Sequence, residues 1–264
     1  MRFEDYKSIT FSRRGRVLTV TLNVPEQLNA IAGGLHTELA NLFPDVAADP
    51  DSDVIILTGA GRAFSAGGDL SHIDRMRADP HGFSEAIREA KRIVFGALDC
   101  DKPVIAKVNG DAIGLGATVA LFCDIIFAAD TARIGDPHVK IGLVAGDGGA
   151  IIWPQLIGYA RAKHYLLTGE LIPAPEAATM GLINFSLAPD ALDAAVDAYA
   201  DKMAAGATKA IRWSKVTANI GLKQLAHQMM DVGMAYEAMA SITDDHGEAV
   251  AAMRERRKPV FTGR

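Results

Sequence analysis

His138 and Asp147 lie nine residues apart in the glycine-rich segment GDPHVKIGLVAGDGGAIIWP. An imidazole titrates near neutrality, so it can take a proton from water or carbon at working pH, and a carboxylate can fix its tautomer or accept a proton itself. The spacing permits two halves of one proton-transfer unit. It also permits a surface histidine and an aspartate that caps a helix starting near Gly148. Two glycine turns add backbone donors. The stretch KVNGDAIGLGATVALFCD, Lys107 to Asp124, passes from an apolar strand through Gly114-Leu115-Gly116 into a helix of small residues. A helix start leaves N–H groups without partners at its positive end, so the Leu115 N–H is a candidate donor to an oxyanion. The second turn, GRAFSAGGDL, follows the strand VIILT, and the backbone of Ala66, Gly67 and Gly68 can approach a ligand closely. Either turn alone reads equally as a tightly packed strand-to-helix connection.

The elements that must position these groups alternate. Residues 17–23 keep a period of two and stop at Pro25, a strand feeding the loop PEQLNAI. The pattern then predicts a helix over 34–46, a turn at Asp49-Pro50-Asp51, a strand over 54–58 and a helix over 83–98. Strands over 104–108, 125–129 and 132–135 follow, with a helix over 117–122. No Gly-Ser or Pro-rich linker interrupts the first 190 residues, which predicts one continuous α/β core. From residue 191 the pattern is purely helical: 191–205, 208–219, 222–241 and 244–257, the last with Thr243 as its N-cap. Met229, Val232, Gly233, Tyr236 and Met239 form a stripe suited to packing on a neighbour.

A chain of 264 residues with 49% apolar side chains is long enough for one large domain. Its two cysteines, Cys100 and Cys123, lie in apolar runs and offer neither a disulfide framework nor metal-type spacing, which predicts core thiols in the cytoplasm and no metal site. No presequence and no run of 18 apolar residues points to a membrane. A net charge of −5 disfavours nucleic acid, and the conspicuous basic run is Arg254 to Lys258.

The pair FSAGGDL and VNGDAIGLG, with PEQLNAI before them and ERRKPVFTGR at the end, resembles the enoyl-CoA hydratase/isomerase (crotonase) superfamily over nearly the whole chain. That resemblance implies a spiral of ββα units over residues 1–190 and a C-terminal helical trimerisation region over 191–264, assembled as a trimer or a hexamer of two trimers. It implies two converging donors, the N–H groups of Gly68 and Leu115, on a carbonyl that becomes an enolate. It places Gln27, Leu28 and Ala30 against the adenine end of coenzyme A, and has the Ala66 carbonyl orient the coenzyme A end within the segment that includes Gly67 and Asp69. Arg256, Lys258 and Phe261 stand at its phosphates. Coenzyme A would arrive as part of the substrate, with no permanently bound cofactor, in chemistry of the fatty-acid type.

The two glutamates that hydratases of this superfamily use correspond to Thr118 and His138, so a plain hydratase mechanism lacks its base. The GDGGAIIWP run resembles the 6-oxocamphor hydrolase branch, whose members cleave β-diketones by a retro-Claisen route and dispense with coenzyme A. That branch implies His138 and Asp147 as the catalytic pair, with Glu237 from the C-terminal helices completing the site. The lysine common after the glycine turn is Ser71 here. The expectation is therefore carbon–carbon bond hydrolysis of an acyl-CoA or β-dicarbonyl substrate. Isomerisation or hydration of enoyl- or dienoyl-CoA by the same pair, and non-catalytic acyl-CoA binding, stand as alternatives.

Overall fold

Strands β1 (Ile9–Arg14) and β2 (Val17–Leu22) form an antiparallel hairpin whose turn contains Gly15, at φ 56°. A two-residue turn needs positive φ, which glycine adopts without cost. The computed structural model describes residues 2–69 and 79–264. After β2 comes α1 (Gly34–Ala48), and the chain then repeats one pattern: a strand in a large sheet, a short strand in a small sheet, then helix. Strands β3 (Val54–Gly59) and β4 (Ala63–Ser65) precede α2 (Pro80–Asp99), and β5 (Val104–Val108) and β6 (Asp111–Ile113) precede α3 (Leu115–Leu121). Strands β7 (Ile125–Ala129) and β8 (Arg133–Gly135) lead through a 3-10 turn, His138–Ile141, to α4 (Gly149–Thr168).

The two sheets are completed by β9 (Ile172–Pro173) and β10 (Phe185–Leu187), with α5 (Ala174–Met180) between them. The large sheet has the order β1-β2-β3-β5-β7-β10, parallel beyond the first hairpin, and the small sheet β4-β6-β8-β9. This is the α/β spiral of ββα turns expected from the sequence. Both faces of β3 are covered, which is why VIILT is an unbroken apolar run rather than an alternating one.

Three helices follow: α6 (Pro189–Ala204), α7 (Thr208–Ser241) and α8 (Asp244–Arg254). The sequence pattern breaks α7 at Gly221, but the helix runs through. One interior glycine costs a helix only about 1 kcal/mol, less than the packing on either side supplies. Lys215 of α7 is buried and pairs with Asp124 at 2.8 Å, tying the helix to the start of β7. The expected stripe on α7 divides: Val232, Tyr236 and Met239 are exposed, whereas Met229 packs against the core and Gly233 turns inward. Thr243 caps α8 as expected, accepting from the His246 N–H at 3.2 Å. No described helix is long and apolar enough to cross a membrane.

Candidate active site

The loop after β2 and the loop after β4 are fastened to one another. Buried Asn29, at φ 53°, accepts from Val24 N–H and donates to the carbonyls of Ala60 and Ala63, each at 2.9 Å. Ala66 N–H donates to Leu28 O at 2.9 Å, and Ile31 N–H to Gly67 O at 2.7 Å. The Gly67 turn then lies against the start of α3. A Cβ on Gly67, at φ 83°, would stand 2.6 Å from Ile113 O, and one on Gly114 would meet Gly67 Cα at 3.9 Å and His138 Cε1 at 3.6 Å. Glycine is required at 67 by both conformation and space. The two glycine turns and His138 thus border one point.

The N–H groups beside the expected donors are engaged, Gly67 with Ser65 Oγ at 3.3 Å and Gly114 with Gly135 O at 2.9 Å. Leu115 opens α3, where helix geometry gives its N–H no intrahelical acceptor.

A cavity of about 340 Å³ opens at this point. Gly68, Leu115, His138, Asp147 and Glu237, all five residues singled out from the sequence for catalysis, line it together. Ala66 and Gly67 line it as well, and most of the remaining wall is apolar, including Ile31, Ile113, Leu143 and Met234. Gln27, Leu28, Ala30 and Asp69 belong to the two fastened loops but not to the lining. The C-terminal segment reaches the cavity through Met253 alone; Arg256, Lys258 and Phe261 lie exposed beyond α8. Ser71 lies outside the described residues.

His138 is flanked on both ring nitrogens. Nδ1 donates to Asp136 Oδ1, and Nε2 lies 3.6 Å from Asp147 Oδ2. The orienting partner at Nδ1 is therefore Asp136, which the sequence reading passed over, and Asp147 faces the other nitrogen. Thr118, read from the sequence as a lost glutamate, is fully buried and donates to Asp147 Oδ1 at 3.4 Å. Asp147 also accepts a backbone bond from Gly149, so it braces the first turn of α4 while facing the histidine.

Glu237 arrives from α7 because backbone meets backbone there. A Cβ on Gly146 would stand 2.3 Å from Gly233 O and 2.8 Å from Glu237 Oε2. Two glycines let the loop lie directly on the helix. Glu237 Oε2 and Asp136 Oδ2 are buried without a hydrogen-bond partner among the described residues. His246 of α8 braces the other side, its Nδ1–H donating to Ile141 O at 2.6 Å at the end of the His138 turn.

Three carboxylates around one imidazole set the charges. Burial alone would favour neutral His138, but Asp136 and then Asp147 outweigh it and hold its pKa well above the ordinary histidine value. Burial pushes Asp147 up against the pull of His138. Burial, followed by the negative charge of Asp147, pushes Glu237 up to about 8. Near neutrality the site holds an imidazolium between two aspartates beside a protonated glutamate. These neighbours correct the expectation of an imidazole titrating near neutrality at His138. Asp136, His138 and Asp147 also place ligand atoms within 4.8 Å of one another, close enough for a metal ion, although one His138 nitrogen is committed to Asp136.

Comparison with known proteins bears on the family and the fold. The chain is 33% identical over 264 residues to a probable enoyl-CoA hydratase of Mycobacterium bovis, covering 98% of this chain and 99% of that one. An enoyl-CoA hydratase/isomerase from Mycobacterium paratuberculosis superposes with a TM-score of 0.88 at 37% identity, covering 92% and 97% of the two chains. A β-diketone hydrolase from Anabaena, bound to (S)-3-oxocyclohexyl acetic acid, superposes with a TM-score of 0.85 at 29% identity, covering 91% and 96%. The model of the enoyl-CoA hydratase/isomerase family matches residues 12–264, and the chain belongs to that family.

Proposed function

We propose that this family member hydrolyses a carbon–carbon bond between two carbonyl groups, a retro-Claisen reaction. The observation that carries the reading is the Asp136–His138–Asp147 array beside the buried Oε2 of Glu237, which has no hydrogen-bond partner among the described residues. Water attacks one carbonyl carbon while its proton passes to the Asp147 carboxylate, which faces the His138 imidazolium at Nε2. The tetrahedral intermediate collapses to a carboxylic acid, the bond to the central carbon breaks, and its electron pair remains as an enolate. The N–H groups of Gly68 and Leu115 stabilise the enolate oxygen, an interaction worth about 2.7 to 4 kcal/mol per donor. A proton from the cluster, with Glu237 as the neutral acid, then reaches the enolate carbon. The reading needs no metal and no resident cofactor. The β-diketone hydrolase among the structural relatives supports it.

Isomerisation or hydration of an enoyl-CoA is the second reading, favoured by the names of relatives such as the probable hydratase of Mycobacterium bovis. In it the same donors hold a thioester, coenzyme A lies along Gln27, Leu28, Ala30 and Ala66–Asp69, and the pair moves a proton between carbons. A panel of cyclic 1,3-diketones and enoyl- and dienoyl-CoA esters separates the readings. Ring opening of a diketone selects the first, conversion of an enoyl ester without cleavage selects the second, and binding without turnover leaves an acyl-CoA-binding protein. The helices from 191 to 264 are proposed to assemble a trimer or hexamer, using exposed Val232, Tyr236 and Met239.

A further inference from the structure

A threonine inside a helix commonly turns its hydroxyl back on a carbonyl of the preceding turn. Thr37, Thr168, Thr179 and Thr217 do so, donating to the carbonyls of Gly33, His164, Pro175 and Trp213. All four are exposed. Thr118, fully buried in α3, departs from them: its hydroxyl donates outside the helix, to Asp147 Oδ1 at 3.4 Å. Its backbone remains helical, with the N–H donating to Gly114 O at 3.0 Å.

The two branches of this side chain meet different partners. A Cβ on Gly148 would stand 2.9 Å from Thr118 Cγ2, so the entry to α4 lies on the methyl. The hydroxyl meets the carboxylate one residue earlier in that entry. A β-branched side chain in a helix has few rotamers, so seating the methyl also aims the hydroxyl. With Oδ1 taken by Thr118, Oδ2 is the oxygen that faces His138 Nε2. Packing the helices needs only the methyl. Valine would supply it without a polar atom to bury.

We propose that Thr118 is a positioning residue: its hydroxyl holds the Asp147 carboxylate in the rotamer that turns Oδ2 toward His138 and the attacking water. Thr118 closes the first turn of α3, whose first residue is Leu115, so one short helix sets the base and an enolate donor relative to each other. The inference rests on the carbon–carbon hydrolase reading for the role of Asp147 as base and names what aims that base. Misplacing a reacting group by about 1 Å can cost about 10²-fold in rate.

The test separates the two branches. T118V keeps the methyl and loses the hydroxyl, whereas T118S keeps the hydroxyl and loses the methyl. Each variant is assayed with a cyclic 1,3-diketone, and the His138 Nε2 resonance is read by nitrogen NMR on protein labelled at histidine, without substrate. T118V is expected to lose about 10- to 100-fold in kcat with KM nearly unchanged, and its Nε2 resonance should move. T118S should keep most of kcat and the wild-type resonance. Wild-type kcat or an unmoved resonance in T118V overturns the proposal, and so does a T118S that loses as much as T118V. If T118V fails to fold, T118A replaces it, since T118A and T118S differ by the hydroxyl alone. If wild type opens no diketone, the hydrolase reading falls and the resonance alone decides: movement in T118V with its return in T118S sustains the positioning role, and any other pattern removes it.

Discussion

His138 Nε2 lies 3.6 Å from Asp147 Oδ2 in a cavity wall that also carries both glycine turns. With Nδ1 given to Asp136, this is the edge of the ring left for a reacting molecule. Replacing His138 with alanine should lower kcat by about 10²- to 10⁴-fold, the usual scale for a lost acid–base group. Ligand affinity should change little, because the apolar wall and the backbone donors remain. Steady-state kinetics and calorimetry on H138A check both halves.

Asp136 raises the affinity of His138 for its proton, so D136N should lower it. Removing a negative neighbour destabilises the imidazolium, and the His138 titration should move to lower pH. Turnover should fall as well, since Nδ1 loses its acceptor. An NMR titration of the ring carbons in wild type and D136N reads the shift directly; an unmoved or upward-moving titration contradicts the assignment.

Glu237 makes stability depend on pH in a defined direction. Its folded value of about 8 exceeds the ordinary value of 4.5, so the folded protein holds the proton over a window where the unfolded chain has lost it. Stability should therefore fall as pH rises from about 4.5 to about 8. In E237Q that contribution to the slope disappears, and the variant should gain on wild type across the window. Chemical denaturation at pH 5 and pH 8.5 measures the difference.

Gly67 holds the two turns together. In G67A the new Cβ would approach Ile113 O to 2.6 Å at a φ of 83°, so the loops must separate. Strain of this kind costs about 1 to 3 kcal/mol. If the separation displaces one donor from the enolate oxygen, kcat should fall on the order of 10²- to 10³-fold. Thermal unfolding and kinetics on the same sample distinguish the two losses.

The alternation of strand and helix up to residue 190 was legible because each core strand is a short apolar run closed by a turn residue. The five cavity residues were legible from glycine turns and from resemblance, whereas Asp136 was not. In GDPH the Asp-Pro pair reads as turn chemistry, and only the folded turn shows that its carboxylate meets the imidazole two residues on. Thr118 and Asp147 are 29 residues apart, and no local spacing connects them. Gly233 stands in a stripe suited to packing on a neighbour, and a glycine has no side chain to reveal which neighbour; its contact with Gly146 places it against the loop before α4. Glu237, one helical turn later, faces the cavity for the same reason.

Oxygen tracing reaches the central claim, that this site breaks a bond between two carbonyl-bearing carbons with water. Wild-type protein is incubated with a cyclic 1,3-diketone in H₂¹⁸O, alongside crotonyl-CoA, and the products are read by mass spectrometry. The account predicts a ring-opened keto acid whose carboxyl group has gained one ¹⁸O from water, with H138A giving none. Intact diketones beside a hydrated crotonyl-CoA would contradict it.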